Sequence, residues 1–189
     1  MKYLDEPTDR LDRIAFVAPM CGGKSFAARI LMNDFGYTQF AFADKLKSVV
    51  SELLDVNVTV KDNHTRKVLQ QFSADRKKWR PDVWIESTLE EIAKSQTYGI
   101  TKVVIDDLRF IHESDILREN GFTIIRVATP ENIRMDRVTQ LYPDTSAEAH
   151  EHASEKEWLD IVPDFTISGV GHETLHDLDE IIMFNRGVV

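Results

Sequence analysis

The stretch Ala18-Pro19-Met20-Cys21-Gly22-Gly23-Lys24-Ser25 decides how the chain is read. It follows an apolar run, Arg13-Ile14-Ala15-Phe16-Val17, and precedes a segment of helical character from Phe26 to Phe35. Strand, glycine-rich turn, lysine, hydroxyl and helix, in that order, match the phosphate-loop pattern G-x-x-x-x-G-K-[ST]. Ala18 stands where the first glycine belongs. In such a loop successive backbone N–H groups and the following helix N-terminus face one anion. Gly22 and Gly23 let the backbone approach closely, Lys24 reaches the β- and γ-phosphates, and Ser25 ligates Mg²⁺. The loop from Ala18 through Met20, Cys21, Gly22, Gly23, Lys24 and Ser25 to Phe26 is therefore the candidate ATP-binding element. The competing reading is an ordinary glycine-rich strand–helix turn.

Outward from the loop, apolar runs and helical segments alternate. Strands are predicted at Ile14–Val17, Tyr37–Phe42, Thr101–Ile105, Phe122–Val127 and Phe165–Ile167. Helices are predicted at Phe26–Phe35, Lys45–Leu54, Thr65–Phe72, Asp82–Lys94, His112–Asn120, Glu131–Leu141 and Glu173–Phe184. Asp44 is expected to cap the second of these, and Gly36 to stop the first. Strand runs without clear alternation predict burial on both faces, as in a parallel sheet. The expected architecture is a three-layer α/β fold with a mainly parallel five-stranded sheet. A helical insertion at about 55–95 and a small lid at about 130–152 interrupt the single domain. Residues 1 to 11 are polar and are expected to be loosely held.

Bulk properties fit this. A chain of 189 residues with 42% apolar and 29% charged residues has enough material for one well-buried core. The single cysteine rules out an internal disulfide and fits a reducing compartment. Neither a signal-peptide core nor a long apolar span is present, so the expectation is a cytoplasmic protein. The formal net charge of −9 makes long nucleic acid a poor partner and leaves small phosphorylated ligands. A homodimer is left open.

Candidate chemistry clusters in a few places. Val103-Val104-Ile105 ends in Asp106-Asp107, and strands of such sheets deliver their C-terminal residues to the ligand crevice. Either aspartate can hold Mg²⁺; the spacing does not say which. Arg66, Arg80, Arg109, Arg126, Arg134 and Arg137 fall where loops converge, and guanidinium groups suit phosphate. Arg134 and Arg137, three apart, share a helix face and read as a lid over the transferring phosphate. Trp79, Trp84 and Trp158 read mainly as packing residues, with Trp84 kept as a substrate-side candidate. His152-Ala153-Ser154-Glu155 lacks the spacing of a metal site and reads as a capping box from Ser154 to Glu157.

Several segments resemble the bacteriophage deoxynucleoside monophosphate kinases. They are Phe42-Ala43-Asp44-Lys45-Leu46-Lys47, Thr65-Arg66-Lys67-Val68-Leu69-Gln70-Gln71, Arg80-Pro81-Asp82-Val83-Trp84, Asp107-Leu108-Arg109-Phe110 with Glu113, and His152-Ala153-Ser154-Glu155. They occur in the family's order over about residues 13 to 183. The resemblance implies transfer of the ATP γ-phosphate, with Mg²⁺, to a deoxynucleoside 5′-monophosphate. It implies Asp44, Arg66, Gln70, Arg80 and Arg109 on the acceptor side. Lys24, Arg134, Arg137 and Asp107 would act on the transferring group, and Ser25, Asp106 and Asp107 on the metal. The chain departs from the family at Ala18 and at Ser168-Gly169-Val170. Two other readings are a kinase acting on a hydroxymethylated pyrimidine within DNA, and a nucleotide-binding module without kinase activity.

Overall fold

A computed structural model describes residues 2–55, 58, 63–142 and 157–185, without the side chains of residues 63, 64, 66 and 77. The order is β1 (Arg13–Val17), α1 (Lys24–Phe35), β2 (Thr38–Phe40), α2 (Phe42–Leu54), α3 (Asn63–Trp79), α4 (Val83–Gln96), β3 (Val103–Leu108), α5 (Ile111–Glu119), β4 (Thr123–Ala128), α6 (Glu131–Leu141), a 3-10 turn (Glu157–Asp160), β5 (Phe165–Ser168) and α7 (Gly171–Asn185). The five strands form one sheet in the order β2-β3-β1-β4-β5, and all four pairings are parallel.

The sheet is buried on both faces because its residues alternate between two cores. Ile14 and Phe16 of β1, Val104 of β3, and Ile125 and Val127 of β4 meet Ala27, Ala28 and Leu31 of α1 and Leu178 and Ile182 of α7. Ala15 and Val17, Val103 and Ile105, and Ile124 meet Phe42, Leu46 and Val50 of α2, Ile85, Leu89 and Ile92 of α4, and Leu117 of α5. This is the expected three-layer fold. The two alanines of α1 allow that helix to lie close on the strands. Gly36, at φ 74°, ends α1 in the left-handed region, where the Tyr37 N–H donates to Leu31 O at 3.1 Å.

Three expectations give way. The segment from Thr65 to Phe72 is part of one longer helix, α3, that runs on to Trp79. The start of α2 is capped by Asp107, far away in sequence, and not by Asp44, which lies inside the first turn. The N-terminal segment is fastened down: Leu4 and Leu11 are each 3% exposed, and the amides of Tyr3 and Leu4 donate to Asn120 Oδ1 at 2.6 and 3.1 Å. Polarity hid this, because the anchor is a single buried asparagine more than 100 residues away. The Ser154 capping box and the lid beyond residue 142 lie outside the described residues.

Asn120 is fully buried and also donates from Nδ2 to Ile116 O at 2.8 Å. Replacing Asn120 with alanine leaves two buried amides without their acceptor. We expect a loss of about 1–3 kcal/mol in chemical denaturation and faster proteolysis near residue 4. Unchanged stability would mean that the strap is not held by these bonds.

Candidate active site

The loop between β1 and α1 is held from outside through its carbonyls. Arg134 Nη1 donates to Met20 O at 3.2 Å, Arg137 Nη1 to Cys21 O at 3.3 Å, and Thr129 Oγ1 to Gly22 O at 2.9 Å. Gly23 O accepts from the amides of Phe26 and Ala27, both at 3.0 Å, as the first turn of α1. A trans peptide sets each N–H opposite its C=O. With the carbonyls of Met20, Cys21 and Gly22 drawn toward α6 and the end of β4, the amides of Cys21 and Gly23 turn to the other side, while the Gly22 amide donates to Pro19 O at 3.1 Å within the loop. The loop leads directly into the N-terminus of α1, where an anion is favoured.

The departures from the motif are explained by packing. A Cβ at Gly22 would lie 2.8 Å from the Ala18 methyl and 2.9 Å from Pro19 O, so Ala18 fills space that Gly22 leaves open. Ala18 is 3% exposed and its φ is not positive, so the motif glycine's conformational freedom is not needed there. Gly23 at φ 96° does need it. Gly169, after β5, is pressed against the loop: a Cβ there would come within 1.9 Å of Thr129 Oγ1 and 2.9 Å of Gly22 O. Its carbonyl accepts from Arg137 Nη2 at 3.0 Å. The Ser168-Gly169-Val170 segment is thus part of the loop's support. Asp177 Oδ2 fixes it by accepting from the Ser168 amide at 2.6 Å.

Lys24 and Ser25 complete the cradle. Lys24 Nζ donates to Ala18 O at 2.5 Å and Pro19 O at 3.0 Å, lying back across its own loop. Ser25 Oγ donates to Asp106 Oδ2 at 2.7 Å. Asp106, not Asp107, therefore faces the loop. The pairing of β3 with β1 changes register here: Ala15 is opposite Ile105, but Val17 is opposite Leu108. One extra residue sits in β3 across the two aspartates, the signature of a bulge that re-aims side chains.

The assignment of Asp107 to the metal or the reaction is corrected by its bonds. Its Oδ1 accepts from the Phe42 amide at 3.1 Å and its Oδ2 from the Ala43 amide at 2.9 Å. Desolvation pushes its carboxyl up to about 6; the two amide bonds oppose that rise, and the neighbouring charges of Asp106 and Glu113 add to it. Just beyond, Glu113 Oε2 accepts from the amides of Arg109 and Phe110 at 3.1 and 3.2 Å and fixes the turn that carries Arg109.

The arginines divide. Arg134 and Arg137 converge on the loop, as their spacing suggested. Arg134 is also gripped by Glu131, with Nε and Nη2 at 2.7 and 2.6 Å from its two oxygens. Arg126 faces away from the loop, donating to Leu159 O and Ile161 O at 3.1 and 2.6 Å beside the Trp158 ring. Arg80 pairs with Glu86 at 2.5 Å. Gln70 and Asp44 are exposed, and Asp44 pairs with Lys47 at 3.0 Å. The Arg66 side chain lies outside the described residues. Trp84 is 6% exposed, packs on Phe72 and donates from Nε1 to Ser73 Oγ at 3.0 Å, so it is a packing residue and not a substrate contact. Trp79 is the reverse: 90% exposed, where packing was expected. The supports Thr129 and Glu131 carry no motif and were missed, with only their place after strand β4 to hint at a role; Gly169 stood out only as part of a departure from the family pattern.

Phe26 lines a small cavity of about 250 Å³ with Ile30, Gly171, His172 and Leu175. A larger hollow of about 690 Å³, between the C-terminal end of α1 and α7, contains none of the loop residues. No helix among the described residues is long and apolar enough to cross a membrane.

No family model matches the chain, and no curated protein matches its sequence. Solved structures do match in fold. TT1252 from Thermus thermophilus is 15% identical with a TM-score of 0.60, over 95% of this chain and 98% of that one. Dephospho-CoA kinase from Campylobacter jejuni is 16% identical with a TM-score of 0.53, over the full length of both. At such identities the likeness is one of fold alone: a parallel α/β sheet covered by helices on both faces.

The contact between Gly169 and Thr129 generates a prediction. Gly169→Ala is expected to displace the phosphate-loop segment, weaken any nucleotide binding there and lower stability by about 1–3 kcal/mol, the usual range for overpacking. Adding Thr129→Ala removes the clashing hydroxyl and should recover part of the stability but not the nucleotide affinity, since Gly22 O also loses its donor. Equal stabilities for the single and double variants would contradict the packing account; denaturation and nucleotide titration read both effects.

Proposed function

We propose that the protein transfers the γ-phosphate of ATP to a deoxynucleoside 5′-monophosphate, giving the diphosphate. The observation that carries this reading is the loop itself, with its carbonyls tied by Lys24, Arg134 and Arg137 and the Ser25–Asp106 pair at the start of α1. Phosphoryl transfer asks little covalent chemistry of a protein; it asks for in-line placement and neutralised charge. The loop amides would hold the triphosphate. Lys24 would exchange its bonds to Ala18 O and Pro19 O for phosphate oxygens. Among the described residues Arg137 donates to carbonyls, those of Cys21 and Gly169, whereas Arg134 is also paired with Glu131. The apolar cavity at Phe26 suits a purine base.

Ser25 Oγ and Asp106 Oδ2 are hard oxygen donors side by side and fit Mg²⁺. Bound magnesium supplies charge neutralisation on the phosphates.

The acceptor is read from the family resemblance together with placement. Helix α2 packs on α3, α4 and β3; Asp44 lies in its first turn, Gln70 in α3, and Arg80 in the turn between α3 and α4. The acceptor phosphate is already ionised near neutral pH, so no strong general base is needed. The fold likeness to a kinase of dephospho-CoA is consistent with phosphoryl transfer. The exposed Trp79, beside Arg76, Lys78 and Arg80, favours the second reading, a modified base in DNA. Against it, Lys78 pairs with Asp75 and Arg80 with Glu86, and the net charge is −9.

A panel of mono- and deoxymononucleotides with ATP and Mg²⁺, read by ADP production, tests the proposal, with hydroxymethyluracil-containing DNA as a further acceptor. Turnover with one or more deoxynucleoside monophosphates is expected. Lys24→Ala should lower kcat by about 10²–10³-fold or more while leaving the circular dichroism spectrum unchanged, and Arg137→Ala should cost more than Arg134→Ala. Label passing to the modified DNA alone would replace the acceptor, and a wild-type rate in Lys24→Ala would remove the scheme.

A further inference from the structure

We infer that Asp107 is a positioning residue, tying the N-terminus of α2 to the end of β3 and so setting the acceptor side of the cleft at a fixed distance from the phosphate loop. The inference rests on the kinase reading above. Its geometric basis is the bulge in β3. Asp106 and Asp107 are neighbours in sequence but serve opposite faces of the sheet: Asp106 accepts from Ser25 on α1, and Asp107 from the first amides of α2. One rigid strand end thus grips an element of the donor side with one carboxylate and an element of the acceptor side with the next.

Three features make this more than an ordinary helix cap. First, α2 has no local cap: its N-cap residue is Ala41, which has no side-chain acceptor, although a serine or aspartate there would serve. Second, Asp107 spends one oxygen on each of two consecutive amides, so the helix end is fixed in orientation as well as position. Those amides are then occupied, and this helix N-terminus is not itself a phosphate site. Third, the residue after Ala43 is Asp44, and α2 packs on α3 and α4. A shift of the α2 N-terminus would carry Asp44 with it and disturb α3, which bears Gln70, and α4, which follows the turn at Arg80. Only Ala41 separates β2 from α2, and β2 pairs with β3, so the tie closes a short, stiff loop of structure.

Asp107→Asn tests this, because asparagine keeps the size but offers one acceptor oxygen and sets its NH₂ against the second amide. Kinetics with the preferred monophosphate are expected to show kcat/KM for that acceptor down by about 10–100-fold, the scale of a small misplacement, with the ATP KM within twofold of wild type. The double variant Ala41→Ser/Asp107→Asn restores a local cap without the tie to β3. It should regain thermal stability yet keep the acceptor defect. Three results would overturn the inference: acceptor kinetics unchanged in Asp107→Asn, ATP and acceptor KM raised alike, or acceptor kinetics restored by Ala41→Ser. A wild type inert toward every monophosphate removes the kinase reading and the inference with it, whereas an active wild type beside an equally active Asp107→Asn removes the inference alone.

Discussion

The whole arrangement depends on who holds the carbonyls of residues 18–23. A glycine-rich turn left to itself presents carbonyls and amides to the same water and binds anions poorly. Here each carbonyl in the run accepts a bond: Ala18 and Pro19 from Lys24, Met20 from Arg134, Cys21 from Arg137, Gly22 from Thr129 and Gly23 from the first turn of α1. Cys21 sits at φ 60°, a conformation that costs a non-glycine residue about 1–2 kcal/mol. Such strain persists only where surrounding bonds over-determine it, and Arg137 on Cys21 O is one of those bonds. The arginines of α6 therefore have a structural role before any chemical one: they shape the anion cradle beside which their charge sits.

The end of β3 is the second organising element. Five parallel strands bring their C-terminal ends to the loop side of the sheet, and the bulge at Asp106–Asp107 distributes two carboxylates between two faces. The acidic chain of net charge −9 still gathers Lys24, Arg134 and Arg137 at the loop, each bonded to its carbonyls. Proximity outweighs global charge at these distances, since screening removes contributions beyond about 8–10 Å.

How much of this was legible beforehand follows from the range of the forces involved. The loop, β1, α1 and the α6 boundaries are local, written in an apolar run, a glycine and lysine pattern and a helical period, and they were read correctly. The parallel sheet followed from apolar runs without alternation. What was not legible depended on contacts distant in sequence. Asn120 holding residues 3 and 4, Asp107 capping α2 in place of Asp44, and Gly169 pressed against Gly22 carry no local mark. The two aspartates could not be told apart because a bulge, not simple alternation, sets the register at the end of β3. Trp79 is exposed and not packed for a related reason: the helix containing it runs further than its sequence suggested.

The central claim is that the loop grips a chain of phosphates through its amides. The most direct measurement is equilibrium titration of the wild type with ATP, ADP, AMP and adenosine in the presence of Mg²⁺. The account predicts that ATP and ADP bind and that affinity falls by an order of magnitude or more once the β-phosphate is lost. Binding of AMP or adenosine as tight as that of ADP would contradict it, for the contacts would then be with the base and sugar and the loop would be an ordinary turn.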